Sequence, residues 1–272
     1  MEKLRFLFAV ISFFAMIVIN ALANSLSFNG LKTGEVSSIY SNNFVPAGFT
    51  FSIWGLIYLW LLIFVISLLF GLFIKGKKNN VFIQTAKHTN IKISWWFTLS
   101  NVLNSLWIVL WHHLQIGLSL LVMLGLLLTL IKIYKSINEM RKTSNKWHLS
   151  IFVKPFSLYL GWISVATIAN TAAYLTSLEL KSVGWVMSIL KIEWPITYAI
   201  VFLATALASI FVKAKRDFVF SLVIAWALFG ITMRWVHLDN TQTEFLMFLV
   251  ACIVIIVGLI LTEFIKKKKA IA

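Results

Sequence analysis

Apolar residues in this chain fall into long, nearly unbroken runs rather than the alternating or helical-stripe patterns of half-buried elements. Eight runs stand out, at roughly residues 6–23, 49–74, 93–112, 116–134, 152–177, 194–212, 217–236 and 244–265, divided by short stretches that hold most of the charge. Each is close to the ~20 residues a helix needs to cross the hydrocarbon of a bilayer. Strands are excluded at such positions, because an open sheet edge leaves backbone groups unpaired where there is no water. The pattern therefore predicts an all-α integral membrane protein with eight transmembrane helices. Only His112, His113, Leu114 and Gln115 separate the third and fourth runs, so these two should form a tight antiparallel hairpin.

Composition strengthens this reading. Of 272 residues, 60% are hydrophobic and 12% charged, where soluble domains have roughly 45–50% and 25%. Charge placement then orients the runs. With the N-terminus in the cytoplasm, the inner side holds Lys3, Arg5, the 75–92 loop, the 132–154 region, the 213–216 turn and the Lys266–Lys269 tail. The outer side keeps four basic residues of 24: Lys32, Lys181, Lys191 and Arg234, the last expected to snorkel. This alternation predicts a multi-pass protein of the cell membrane with both termini cytoplasmic. It also assigns the net charge of +15 to lipid headgroups, so the lipid bilayer is the expected partner and nucleic acid is not. Lys3, Arg5 and Ala21-Leu22-Ala23 also fit a cleavable signal peptide. Asn20 and Asn24, which give the first run a polar face suited to a bundle interior, favour a retained helix. Cys252 is the sole cysteine and lies within a run, which leaves no intramolecular disulfide.

The span interiors lack the ionisable groups of an ion-coupled transporter, and no phosphate loop, metal motif or acid–base pair stands out. They are rich in indole and amide instead. Tryptophan occurs 12 times. Interfacial belts account for Trp95, Trp96, Trp194 and Trp235, while Trp54, Trp107 and Trp162 lie several residues inside their runs. Asn101 and Asn104 share a helix face that Trp107 and Trp111 continue, and Asn170 shares a face with Trp162. Amides in hydrocarbon commonly bond across helices, so helix bridging and pocket lining both remain open for them. His112 and His113 are expected at the headgroups. The outer loop 24–48 carries Leu26, Phe28, Leu31, Ile39, Tyr40 and Phe44 among its Asn and Ser residues, which suggests a lid folded over the helix ends. It leads into FVPAGFTFSIWGLIYLW, residues 44–60. Pro46 is expected just before the second helix or in its first turn, with Phe49, Phe51, Trp54 and Tyr58 winding down from it as an aromatic face.

Val45-Pro46-Ala47-Gly48-Phe49 with Phe51, Trp54 and Tyr58, then Asn104 and Trp107, then Pro155, Tyr159, Trp162 and Asn170, together resemble the TspO/MBR family, the tryptophan-rich sensory proteins. Three patches in order on the expected helices carry the resemblance, which covers roughly residues 5–178. It implies a five-helix TspO-like core in residues 1–178, with residues 179–272 adding three helices and a basic cytoplasmic tail. It also implies binding of a porphyrin, haem or sterol-like ligand, with a sensory, regulatory or transport role. Val45 stands where the family has a first proline and Phe49 where it has a tryptophan, which counts against light-dependent porphyrin breakdown.

The expected function is binding of a planar apolar ligand in an aromatic intramembrane pocket. Pro46, Phe49, Trp54 and Tyr58 form its mouth, Asn104 and Trp107 one wall, and Trp162 and Asn170 the other. No cofactor is required and no metal site or catalytic residue is assigned; porphyrin or haem enters as ligand. A small-molecule permease or efflux facilitator is the alternative, and a homodimer is left open.

Overall fold

The structure, a computed structural model, describes residues 2–73, 91–140, 149–178, 193–238 and 242–269. Most of the 75–92 loop, Lys181, Lys191 and Trp185 lie outside these residues. All regular structure among the described residues is helical. Nine α-helices follow in chain order: α1 (Glu2–Ser25), α2 (Thr33–Ile39), α3 (Ile53–Phe73), α4 (Ile91–His112), α5 (Ile116–Met140), α6 (Lys154–Leu178), α7 (Glu193–Lys213), α8 (Phe218–His237) and α9 (Thr243–Lys269). Seven of the described helical stretches are long and apolar enough to cross a membrane: those of α1, α3 and α5 to α9.

Helix α4 is the exception, and its composition explains why. It is 22 residues long, about 33 Å at 1.5 Å per residue, but serine, asparagine and tryptophan dilute its apolar content. The polar groups turn inward: Ser100, Asn101, Asn104 and His112 are fully buried, while Leu99, Val102 and Leu106 face out. Helix α1 repeats the arrangement, with Asn20 buried and Leu4, Leu7, Phe8, Ile11, Phe14 and Val18 exposed. Amides inside and leucines outside invert the pattern of a protein in water, and fit a surface solvated by lipid.

The chain divides into two compact units. The first comprises residues 1–33 and 52–163, the second residues 34–51 and 164–272. In the first unit α4 packs against α1 and α5. The α4–α5 hairpin is as tight as the sequence predicts. Leu114 takes a left-handed conformation (φ 57°), and Gln115 N–H bonds to Leu110 O (2.9 Å) and Leu114 N–H to Trp111 O (3.1 Å), closing α4 with a Schellman motif. The core is a phenylalanine cluster centred on Phe64, whose ring lies 5.0 Å from Phe156, 5.4 Å from Phe97 and 5.7 Å from Phe152, mostly edge to face.

In the second unit α7, α8 and α9 pack on one another. The Asp217 carboxylate caps α8 by accepting from Phe220 N–H. Pro46 lies just before the helical segment, one of the two places the sequence allows: a 3₁₀ turn spans Gly48–Ser52 and the α-helix begins at Ile53. Phe49 and Phe51 belong to that turn rather than to the helix.

Candidate functional site

Five of the eight residues expected at the pocket meet in the first unit, around Trp54 of α3. Trp54 stacks on Tyr58 one turn further along (5.6 Å between centroids, 25°) and lies tilted against Trp107 of α4 (5.6 Å, 31°). Edge-on contacts come from Tyr159 and Trp162 of α6, both at 6.1 Å. Trp107 in turn stacks on Trp111 at 6.1 Å. All of these except Tyr58 are buried, Trp107 and Trp111 to 4% exposure. Pro46, Phe49 and Asn170 fall in the second unit. There Phe49 packs its ring on Trp226 (5.5 Å) and Phe229 (6.0 Å) of α8, and Asn170 is buried in α6.

A chain of amides supports the cluster. Asn20 Nδ2 donates to Asn104 Oδ1 (2.8 Å), and Asn104 Nδ2 donates to Tyr159 Oη (2.9 Å), tying α1, α4 and α6 together. Asn101 Nδ2 donates to Ser12 Oγ (3.1 Å). Asn104, expected on a pocket wall, therefore has its amide engaged between helices. Tyr159 is the residue that the sequence reading left out of its site. It lies one turn before Trp162, close to the same helix face, and is fully buried, so the spacing that singled out Trp162 points to it as well.

The ends of α1 and α4 are joined through Thr33, whose hydroxyl donates to Asn24 Oδ1 (3.0 Å). That leaves His112 Nε2 (3.0 Å) to donate to the Thr33 hydroxyl. Trp111 Nε1 donates to the Thr33 carbonyl (3.1 Å). His112 is thus fully buried in a polar joint, not set at the headgroups as expected, whereas its neighbour His113 is exposed and turns back to Val109 O.

Against these paired groups, Trp107 Nε1 stands out. It is buried and has no hydrogen-bond partner among the described residues. The buried Tyr58 hydroxyl lies beside Asn104 but makes no hydrogen bond of ordinary geometry. An orphaned buried donor costs about 1–3 kcal/mol, and such groups are rare enough to need a reason.

The cluster can offer a ligand flat apolar faces and an indole donor. It contains no imidazole, thiolate or carboxylate, so its chemistry fits a macrocycle or ring system and not coordination of a metal. A planar molecule held between two rings needs them about 7 Å apart, two carbon contacts of roughly 3.5 Å. Trp54 and Trp107, at 5.6 Å, are closer than that, so entry of a flat ligand requires the Trp54 side chain to swing aside.

In the second unit, residues 41–50 form a strap bound to α8. Ala47 N–H bonds to Gly230 O (2.9 Å). Trp226 Nε1 donates to Thr50 O (3.0 Å), and Trp235 Nε1 to Asn43 O (3.3 Å). Arg234 donates to Val45 O (3.1 Å) and Ser41 Oγ (2.9 Å). Arg234 therefore holds the strap. A family model described as TSPO-like protein matches residues 6–264, continuing through α7, α8 and most of α9, beyond the stretch on which the sequence resemblance rests. No curated protein and no solved structure matches the chain.

Proposed function

The chain belongs to the TSPO-like protein family and is a multi-pass membrane protein, and from that premise we propose that it binds a planar apolar ligand at the Trp54 cluster. The ligand class is a tetrapyrrole such as porphyrin or haem, or a sterol-like ring system, and the role is sensory, regulatory or transport. One observation carries this reading: Trp107 Nε1 is a buried donor without an acceptor among the described residues, set beside Trp54, on which Tyr58 stacks. Once the Trp54 side chain swings aside, a ligand with an acceptor at its rim would satisfy the indole while one of its faces lies against an exposed ring of the cluster. In the same reading α4 is the eighth span, its amides turned inward, and both termini are on the cytoplasmic side of the cell membrane.

Quenching of tryptophan fluorescence by protoporphyrin tests the assignment. A ring lost from the ligand's face is worth about 0.5–1.5 kcal/mol, so Trp54→Ala weakens binding about two- to tenfold. Trp162→Ala, whose ring meets Trp54 edge-on, weakens it less. Titration curves unchanged from the parent in both variants, with helix content retained by circular dichroism, count against the site.

A further inference from the structure

Two basic segments that are far apart in the chain meet at one end of the second unit. Lys213 ends α7, Lys215 and Arg216 lie in the turn that follows, and α9 closes on four lysines, Lys266–Lys269. The ring of Phe218, the first residue of α8, lies 4.8 Å from that of Phe264 on α9. This contact sets the turn beside the end of α9. From Phe264 to Lys269 the helix rises only about 7.5 Å, so the two segments lie about one screening length apart, roughly 8–10 Å in physiological salt. Their positive potentials therefore reinforce each other.

The carboxylates at this end leave the charge largely unopposed. Asp217 is buried and turned inward, where it accepts from Phe220 N–H to cap α8. Glu263 pairs with Lys266 alone among the described residues (3.2 Å). Lys213, Lys215 and Arg216 are exposed, and neither the Lys213 nor the Arg216 side chain has an ion pair or hydrogen bond among the described residues. The turn itself is fixed. Asp217 N–H bonds back to Phe211 O (2.9 Å), and Arg216 takes a left-handed conformation (φ 51°), where glycine is the favoured residue. An arginine occupies that place and presents its charge outward.

The face of α9 below the lysines is apolar and uncovered, with Leu261, Phe264 and Ile265 all exposed. Both α8 and α9 supply candidate membrane spans, so the cations lie just beyond the hydrocarbon, at the depth of lipid phosphates. We propose that this end of the second unit is a docking surface for an anionic phospholipid. The 213–216 turn and the Lys266–Lys269 run hold the charged headgroup, and an acyl chain lies on the exposed face of α9. Charge alone would suit a free phosphate equally; the apolar face beside it selects a lipid. The surface shares no residue with the Trp54 cluster.

Native mass spectrometry on the full chain in an uncharged detergent tests this, with phosphatidylglycerol and phosphatidylcholine of the same acyl chains as separate probes. The parent protein is expected to retain phosphatidylglycerol in preference. Each basic residue near an anionic surface contributes about fivefold. Arg216→Gly removes one charge while giving the left-handed position its favoured residue, so the fold is kept and retention of phosphatidylglycerol drops about fivefold. Lys213→Gln has a similar effect and serves as the second variant. Retention of phosphatidylcholine stays at the parent value in both. Lys135→Gln, at an exposed position of α5 in the first unit, removes the same charge elsewhere and leaves phosphatidylglycerol retention unchanged. The proposal is overturned if the parent retains the two lipids equally, or if both variants, folded by circular dichroism, retain phosphatidylglycerol as the parent does. It is overturned equally if Lys135→Gln lowers retention as much as Arg216→Gly, since net charge and not this surface would then be responsible. None of these outcomes bears on the porphyrin titration, so the two readings fall separately.

Discussion

Trp107 and Trp111 form a matched pair in which one atom differs in circumstance. Both lie on α4 one turn apart, both are 4% exposed, and their rings stack at 6.1 Å. Trp111 Nε1 bonds to the Thr33 carbonyl at 3.1 Å, whereas Trp107 Nε1 has no partner among the described residues. Changing either to phenylalanine removes the same ring area and the same N–H, so the packing loss cancels in the comparison. Trp111→Phe then loses a bond worth about 1 kcal/mol and strands a carbonyl, while Trp107→Phe removes an orphaned donor costing about 1–3 kcal/mol. Trp107→Phe should therefore be the more stable variant by about 2–4 kcal/mol. At about 2–4 °C per kcal/mol, their melting temperatures in detergent should differ by at least about 4 °C. Ligand binding should run the other way. Loss of one hydrogen bond of about 1 kcal/mol weakens protoporphyrin binding about fivefold in Trp107→Phe and leaves Trp111→Phe at the parent value. Equal melting temperatures refute the claim that the donor is unpaired. Unequal melting with unchanged affinity in Trp107→Phe refutes its role in binding.

Gly230→Ala should destabilise the second unit, because a β-carbon there collides with the Thr50 hydroxyl and lies 2.7 Å from Thr50 Cγ2. Overpacking of this kind costs about 1–3 kcal/mol, and adding Thr50→Ala should restore part of the melting temperature; no recovery in the double variant would place the strain elsewhere. Asn104→Leu breaks the Asn20–Asn104–Tyr159 chain, with each bond worth about 0.6–2 kcal/mol between helices in lipid. Adding Asn20→Leu to it should cost less than Asn20→Leu costs alone, and strict additivity of the two melting shifts would deny the coupling.

Much of the helical architecture is legible in the chain. Long apolar runs locate the spans because lipid admits only backbones that satisfy themselves. The hairpin at 112–115 follows from how few residues separate two runs, and the α4 stripe of Asn101, Asn104, Trp107 and Trp111 follows from helical spacing. Histidine misled the reading. His112, beside His113, looks interfacial by position, yet it is buried against Thr33, while Arg234, near an outer helix end, grips the strap. Their partners lie 79 and 189 residues away, at separations where a sequence carries no local trace of the contact.

By itself, then, the sequence determined the solvent, the helical class, and which helix faces carry indole and amide, since all of these depend on residue type at short spacing. Tertiary structure decided what those groups do. It drew Trp107 and Trp162 onto Trp54, engaged Asn104 between helices and left the Trp107 N–H unpaired among the described residues. It also set Pro46 and Phe49 in a strap on α8. Such outcomes rest on which distant side chain fills each hydrogen bond and each void, and that choice is made only when the helices pack.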